Sequence, residues 1–136
     1  MVENGNNAIE LYKDLFGAKV VEHRPFTKEV GAQMGWSDDF DYENSTMHAE
    51  LDIEGATVML SDNPDTSPMG EVKAFNNVYV LVTVDSKEKI DKINEKVLEK
   101  KFAVTMPLEK TFWGSWFLVF QDSFGIGWQI AYSEEP

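Results

Sequence analysis

The sequence predicts an α+β fold of two βαβββ modules, the first with its leading strand short or missing. Three observations carry that expectation. Each half runs helix, strand, long or aromatic connection, strand, tight turn, strand; D-x-x-G recurs between strands at 52–55 and 122–125; and at an offset of 70, Val58 meets Trp128, Met59 meets Gln129 and Leu60 meets Ile130. Only the second half has a strand directly before its helix. In the first half residues 1–6 occupy that place, so the strand is vestigial or precedes the sequence given.

Residues 7–16 (NAIELYKDLF) follow a helical period through Ile9, Tyr12 and Phe16, with Asn6 or Asn7 as cap and Gly17 at the left-handed C-terminal position. Residues 18–22 (AKVVE) read as a strand. From 27 to 45 runs an irregular segment with Gly31, Gly35, Trp36 and the acidic stretch 38–43, long enough for a lid or binding loop. In 46–53 (TMHAELDI), Met47, Ala49, Leu51 and Ile53 alternate with Thr46, His48, Glu50 and Asp52, the mark of a strand with one dry and one wetter face. A strand over 56–61 and a Pro/Gly-bearing linker complete the first half.

Residues 77–84 (NVYVLVTV) form the clearest strand. Asp85 with Glu88 reads as a capping box for a helix through Lys100, its buried stripe Ile90, Ile93, Val97 and Leu98. A short strand at 102–105 precedes the aromatic stretch 106–130, which holds three of the four tryptophans, with strands at 116–121 and 126–132. The expected organisation is one domain over 1–136: module one 1–62, linker 63–76, module two 77–132.

Composition narrows the chemistry. There is no cysteine, so disulfides, thiolate metal sites and a cysteine nucleophile are excluded. A net charge of −12 disfavours phosphate backbones and anionic lipid, so neither nucleic acid nor membrane is an expected partner. Six of the twelve basic residues (Lys87, Lys89, Lys92, Lys96, Lys100, Lys101) sit on one helix among acidic neighbours, a solvated face rather than a basic stripe. The apolar runs fall short of a membrane span and the start does not resemble a signal peptide, which makes the cytoplasm the expected location.

Several segments resemble a known superfamily: Ala8-Ile9-Glu10-Leu11-Tyr12-Lys13 through Phe16-Gly17, Met47-His48-Ala49-Glu50-Leu51, Val58-Met59-Leu60-Ser61-Asp62, Thr111-Phe112-Trp113-Gly114 and Asp122-Ser123-Phe124-Gly125-Ile126-Gly127-Trp128. Over 8–130 the chain is similar to the vicinal oxygen chelate superfamily of glyoxalase I, extradiol dioxygenases and fosfomycin and bleomycin resistance proteins. It is most similar to the PhnB-like branch, sometimes labelled demethylubiquinone methyltransferase-like. The resemblance implies a cupped, mostly antiparallel sheet with helices outside. It also implies metal ligands on the first and last strand of each half. Those positions fall before Met1 and at Met59, Tyr79 and Gln129, of which only Gln129 resembles a ligand. A thioether and a phenol are poor donors for an ion wanting about six N/O ligands, so the expectation is no metal cofactor.

His48 and Glu50 lie on one strand face, suited to a general base or hydrogen-bond donor with its orienting carboxylate, to a carboxylate for a cationic ligand, or simply to a wet surface. By the 70-residue offset Trp116 and Phe120 share their face, and Trp128, with its partner Val58, faces the helices. The expected cavity face is therefore His48, Glu50, Met59, Tyr79, Trp116, Phe120 and Gln129, holding a flat or apolar organic molecule with one polar or charged group. His23 reads as a surface residue, and Trp36 with the acidic loop as a possible cover for a cationic ligand. No glycine-rich loop supports a methyltransferase or nucleotide enzyme. An unpaired edge in the first half predicts a homodimer. The alternatives are a metal-dependent lyase, transferase or dioxygenase with His48, Glu50 and Gln129 as incomplete ligands, and a ligand-free structural dimer module.

Overall fold

In the computed structural model, which describes residues 4–62 and 78–134, the first helix α1 (Gly5–Phe16) starts earlier than its period suggests. Asn4, rather than Asn6 or Asn7, is the cap: its side chain accepts from the Asn7 amide. Gly17 closes the helix in the left-handed region at φ 64°. The chain divides into two compact units, Met1–Val72 and Lys73–Pro136. The expected linker lies outside the described residues.

In the first unit β1 (Lys19–Arg24), α2 (Lys28–Gln33), β2 (His48–Ile53) and β3 (Ala56–Leu60) follow α1, and the three strands form an antiparallel sheet in the order β1-β2-β3. Alternation on β2 works as expected: Ala49, Leu51 and Ile53 are buried while His48, Glu50 and Asp52 are half-exposed. The buried three pack towards α1, whose Ala8, Ile9, Tyr12, Leu15 and Phe16 are buried in turn. One carboxylate ties the ends of this unit together. Asp62 accepts from the Gly5 amide and, at 2.8 Å, from the Thr46 amide, and its own amide donates to the Thr46 carbonyl at 2.8 Å.

The segment read as irregular contains α2 and a packed aromatic cluster. Phe26 meets Trp36 edge-on with centroids 4.9 Å apart, Trp36 lies 5.0 Å from Phe40, and Phe40 4.9 Å from Tyr42, with Phe26 and Tyr42 buried. Trp36, half-buried, is thus held by ring contacts within this cluster.

The second unit comprises β4 (Tyr79–Thr83), α3 (Lys87–Glu99), β5 (Ala103–Lys110), β6 (Ser115–Gln121) and β7 (Gly127–Ser133), in sheet order β4-β7-β6-β5. β4 runs parallel to β7, and the other pairs are antiparallel. The duplication is plain in this topology: β5-β6-β7 repeats β1-β2-β3, and α3 repeats α1. Nothing among the described residues stands beside β3 where β4 stands beside β7. Two expectations for α3 need correction. Ser86, not Asp85, accepts from the Lys89 amide as N-cap, and Asp85 pairs with the Lys89 ammonium at 3.2 Å. Leu98 is exposed, leaving Ile90, Ile93 and Val97 as the buried stripe. β5 also outruns its expected span, because it is an edge strand and Pro107 falls within a register shift between Met106 and Glu109, where a missing N–H is tolerated.

The two hairpins differ by one residue. In the first, Ile53 pairs with Ala56 across Glu54-Gly55, both at positive φ (50° and 86°), as a type I′ turn requires. In the second, Gln121 pairs with Gly127, and the Asp122 amide donates to the Ile126 carbonyl around Ser123-Phe124-Gly125, with Gly125 at φ 82°. Glu50 pairs with Met59 while Val119 pairs with Gln129. Once Met59 is matched to Gln129, Glu50 therefore corresponds to Val119 and not to Phe120, and a one-residue step reverses every side chain of the strand.

Candidate functional site: the open faces of the two sheets

On the first sheet, the face turned away from α1 gathers the chemistry. Glu50 is flanked by Glu22 on β1 and Met59 on β3, and His48 stands opposite Arg24. His48 Nε2 lies 3.3 Å from Glu50 Oε1, and Arg24 forms an ion pair with Glu22. One ligand atom from each of Glu22, His48 and Glu50 lies within 4.8 Å of the others; among the described residues this is the one such group of three. All three are half-buried, and Met59 is 62% exposed beside them. Alternation places His48, Glu50 and Met59 together as expected.

Glu22 was not among the expected site residues. A β-bulge between Val20 and Glu22 sets Glu22 opposite Glu50; with the Val20–Leu51 register continued unbroken it would oppose Ala49 and point to α1. The only signal in the sequence was an acidic residue at the end of a strand. His23, by contrast, points to the α1 side, with Nε2 3.1 Å from Asn6 Oδ1 and 3.0 Å from Thr46 Oγ1, an anchor between helix and sheet.

On the second sheet, the face turned away from α3 carries Tyr79 and Leu81 of β4, Gln129 of β7, Phe117 and Val119 of β6 and Met106 of β5. The Tyr79 ring packs against Gly127: a Cβ there would stand 2.5 Å from Tyr79 Cδ1, so only glycine permits the approach. Tyr79 and Gln129 are half-buried and Leu81 is 56% exposed. Where the first sheet has Glu22, His48 and Glu50, this one has Met106, Phe117 and Val119.

The expectation that Trp116 and Phe120 share the Gln129 face is corrected. Phe120 is fully buried, pairs with Trp128 and stacks on Phe102 with centroids 6.1 Å apart. Trp116 lies on that same side, with Lys87 of α3 4.1 Å above its ring. The longer second turn is the physical reason, since the sequence offset assigned β6 to the wrong side. Trp128 faces the helix as expected, completely buried. Trp116 Nε1 donates to Glu134, whose carboxyl is held below the ordinary range by its hydrogen bond from Lys110, then by that from Trp116.

The positions where the resemblance places metal ligands do not fit a divalent ion. Tyr79 and Gln129 share one face but offer a phenol and a neutral amide, and Met59 offers a thioether. No helix among the described residues is long and apolar enough to cross a membrane.

The family model of the Glyoxalase/Bleomycin resistance protein/Dioxygenase superfamily matches residues 1–130. Among solved structures, protein PA1353 from Pseudomonas aeruginosa is 27% identical, with a TM-score of 0.71 over 97% of this chain and 91% of that one. A putative 3-demethylubiquinone-9 3-methyltransferase, PhnB protein, from Bacillus cereus is 21% identical, with a TM-score of 0.68 over 93% and 89%. The fosfomycin resistance protein FosX from Listeria monocytogenes is 12% identical, with a TM-score of 0.64 over 98% and 88%. No curated protein matches the chain.

Proposed function

The chain belongs to the Glyoxalase/Bleomycin resistance protein/Dioxygenase superfamily, and on that premise we propose that it binds a small organic molecule on the second sheet, without an ion at the superfamily's usual positions. The observation that carries this reading is the face on which half-buried Tyr79 and Gln129 stand together, the Tyr79 ring packed against Gly127. Tyr79 and Gln129 supply a hydroxyl and an amide for hydrogen bonds. Leu81, 56% exposed, and half-buried Phe117 supply apolar surface on the same face, and Val119, paired with Gln129, is buried beneath it. Such a face suits a flat or apolar molecule with one polar group. His48, Glu50 and Met59 make a second, more polar surface on the first sheet. We further propose a cytoplasmic homodimer joined through the β3 edge, a row of backbone groups suited to a partner strand.

The test is a fragment screen by amide NMR on chelator-treated protein, using bleomycin, fosfomycin and a short-chain ubiquinone beside neutral aromatic fragments. The expected result is that flat aromatic fragments shift the amides of β4, β6 and β7, an effect lost in Gln129→Ala and Leu81→Asp. Aromatic fragments that leave these strands unshifted, or shift them equally in both variants, overturn the reading. Light scattering that gives the monomer mass at micromolar concentration overturns the dimer. A metal-dependent lyase, transferase or dioxygenase would need an ion held by side chains other than Met59, Tyr79 and Gln129.

A further inference from the structure

We propose that Glu22, His48 and Glu50 form a site for a divalent transition-metal ion of the zinc or manganese class, on strands other than those that carry the superfamily's ligands. Four features converge on it.

The donors are one imidazole nitrogen and two carboxylates, with ligand atoms within 4.8 Å of one another, so small side-chain rotations bring all three onto one ion. The backbone is built to present them: His48 and Glu50 are two apart on β2, and the bulge in β1 swings Glu22 off the α1 side to oppose Glu50. Two carboxylates in directly opposed cross-strand positions repel, and a shared cation turns that repulsion into attraction. All three side chains are half-buried, at 34%, 35% and 26% exposure for Glu22, His48 and Glu50, which leaves room for water or a substrate oxygen in the remaining coordination positions. The imidazole sets the class, because calcium and magnesium take oxygen ligands whereas zinc and manganese accept mixed nitrogen and oxygen sets.

Arg24 is the built-in competitor. Its guanidinium pairs with Glu22 and stands opposite His48, so an arriving ion displaces it from one carboxylate. Removing Arg24 therefore tightens metal binding.

This site goes beyond the organic-ligand reading and does not depend on it, since its residues lie on the first sheet and those of that reading on the second. The experiment is a calorimetric titration of untagged, chelator-treated, full-length protein with zinc alone, repeated with cobalt while visible absorption is recorded. The expected result is one equivalent bound with a cobalt d–d spectrum, an affinity about tenfold or more weaker in Glu22→Gln and in His48→Ala, and a tighter one in Arg24→Ala. Circular dichroism checks that the variants fold. As a second readout, manganese broadens the His48 ring signals before any others. The proposal is overturned by absence of binding, by binding unchanged in Glu22→Gln and His48→Ala, or by binding lost in Gln129→Ala and kept in Glu22→Gln, which would place the ion at a superfamily position. Fragment binding in chelator stands or falls separately.

Discussion

Where the first sheet turns Glu22, His48 and Glu50 away from its helix, the second turns Met106, Phe117 and Val119 away at the matching register positions. One topology thus presents a polar, ion-pairing surface in one copy and an apolar one in the other. The hairpins differ as well. Half-exposed Asp52 accepts from the Gly55 amide at 2.8 Å, whereas buried Asp122 accepts from the Phe124 and Ile126 amides and from Trp128 Nε1 at 2.9 Å. The same D-x-x-G string is a surface turn in one copy and part of the core in the other.

The largest test of this comparison is Phe120→Ala. Correct register makes Phe120 the counterpart of Leu51, both fully buried, so Phe120→Ala costs about 3–5 kcal/mol and Leu51→Ala about 2–5 kcal/mol in urea unfolding. A cost for Phe120→Ala within about 0.5 kcal/mol, the scale of a surface position, would break the face assignment. Next come the turns. Asp122→Ala leaves the Trp128 indole N–H buried without its carboxylate and costs about 2–3 kcal/mol, against about 0.5–1 kcal/mol for Asp52→Ala. Equal losses would mean the two turns are equivalent after all.

Giving the first sheet the second sheet's surface is a finer test. Glu22→Met with Glu50→Val removes a like-charge cross-strand pair, and in chelator it leaves thermal stability unchanged or raised by up to about 1 kcal/mol. In zinc the order reverses, with the parent protein the more stable. The smallest effect concerns Glu134, which is exposed. Its folded-state pKa is lowered, so its contribution is present above the ordinary carboxyl range and is lost as pH falls through the folded value. Carboxyl NMR titration should show that lowering in the parent and its relaxation in Lys110→Ala.

Period and alternation were enough for the order of the strands, for α1 and α3 but not for α2, and for the dry and wet sides of β2, because hydrophobic spacing within one element reports its own burial. What they could not show is how one element registers against another. Glu22 reaches the open face through a bulge that only pairing with β2 reveals. Phe120 and Trp116 reach the helix side because a turn has one more residue than its sibling, and motif alignment hides that difference. Phe26, Trp36, Phe40 and Tyr42 form a cluster across a stretch with no period at all, so composition alone suggested a loop. Ser86 took the cap from Asp85 by one position, within the slack of any local signal.

Asp62 joins three backbone segments through one side chain: the first turn of α1, the approach to β2 and the residues after β3. The amide protons of Gly5 and Thr46 are therefore protected by the same carboxylate, and losing it frees both together. In hydrogen exchange the two should share one opening event and accelerate in parallel in Asp62→Ala, although 41 positions of sequence separate them.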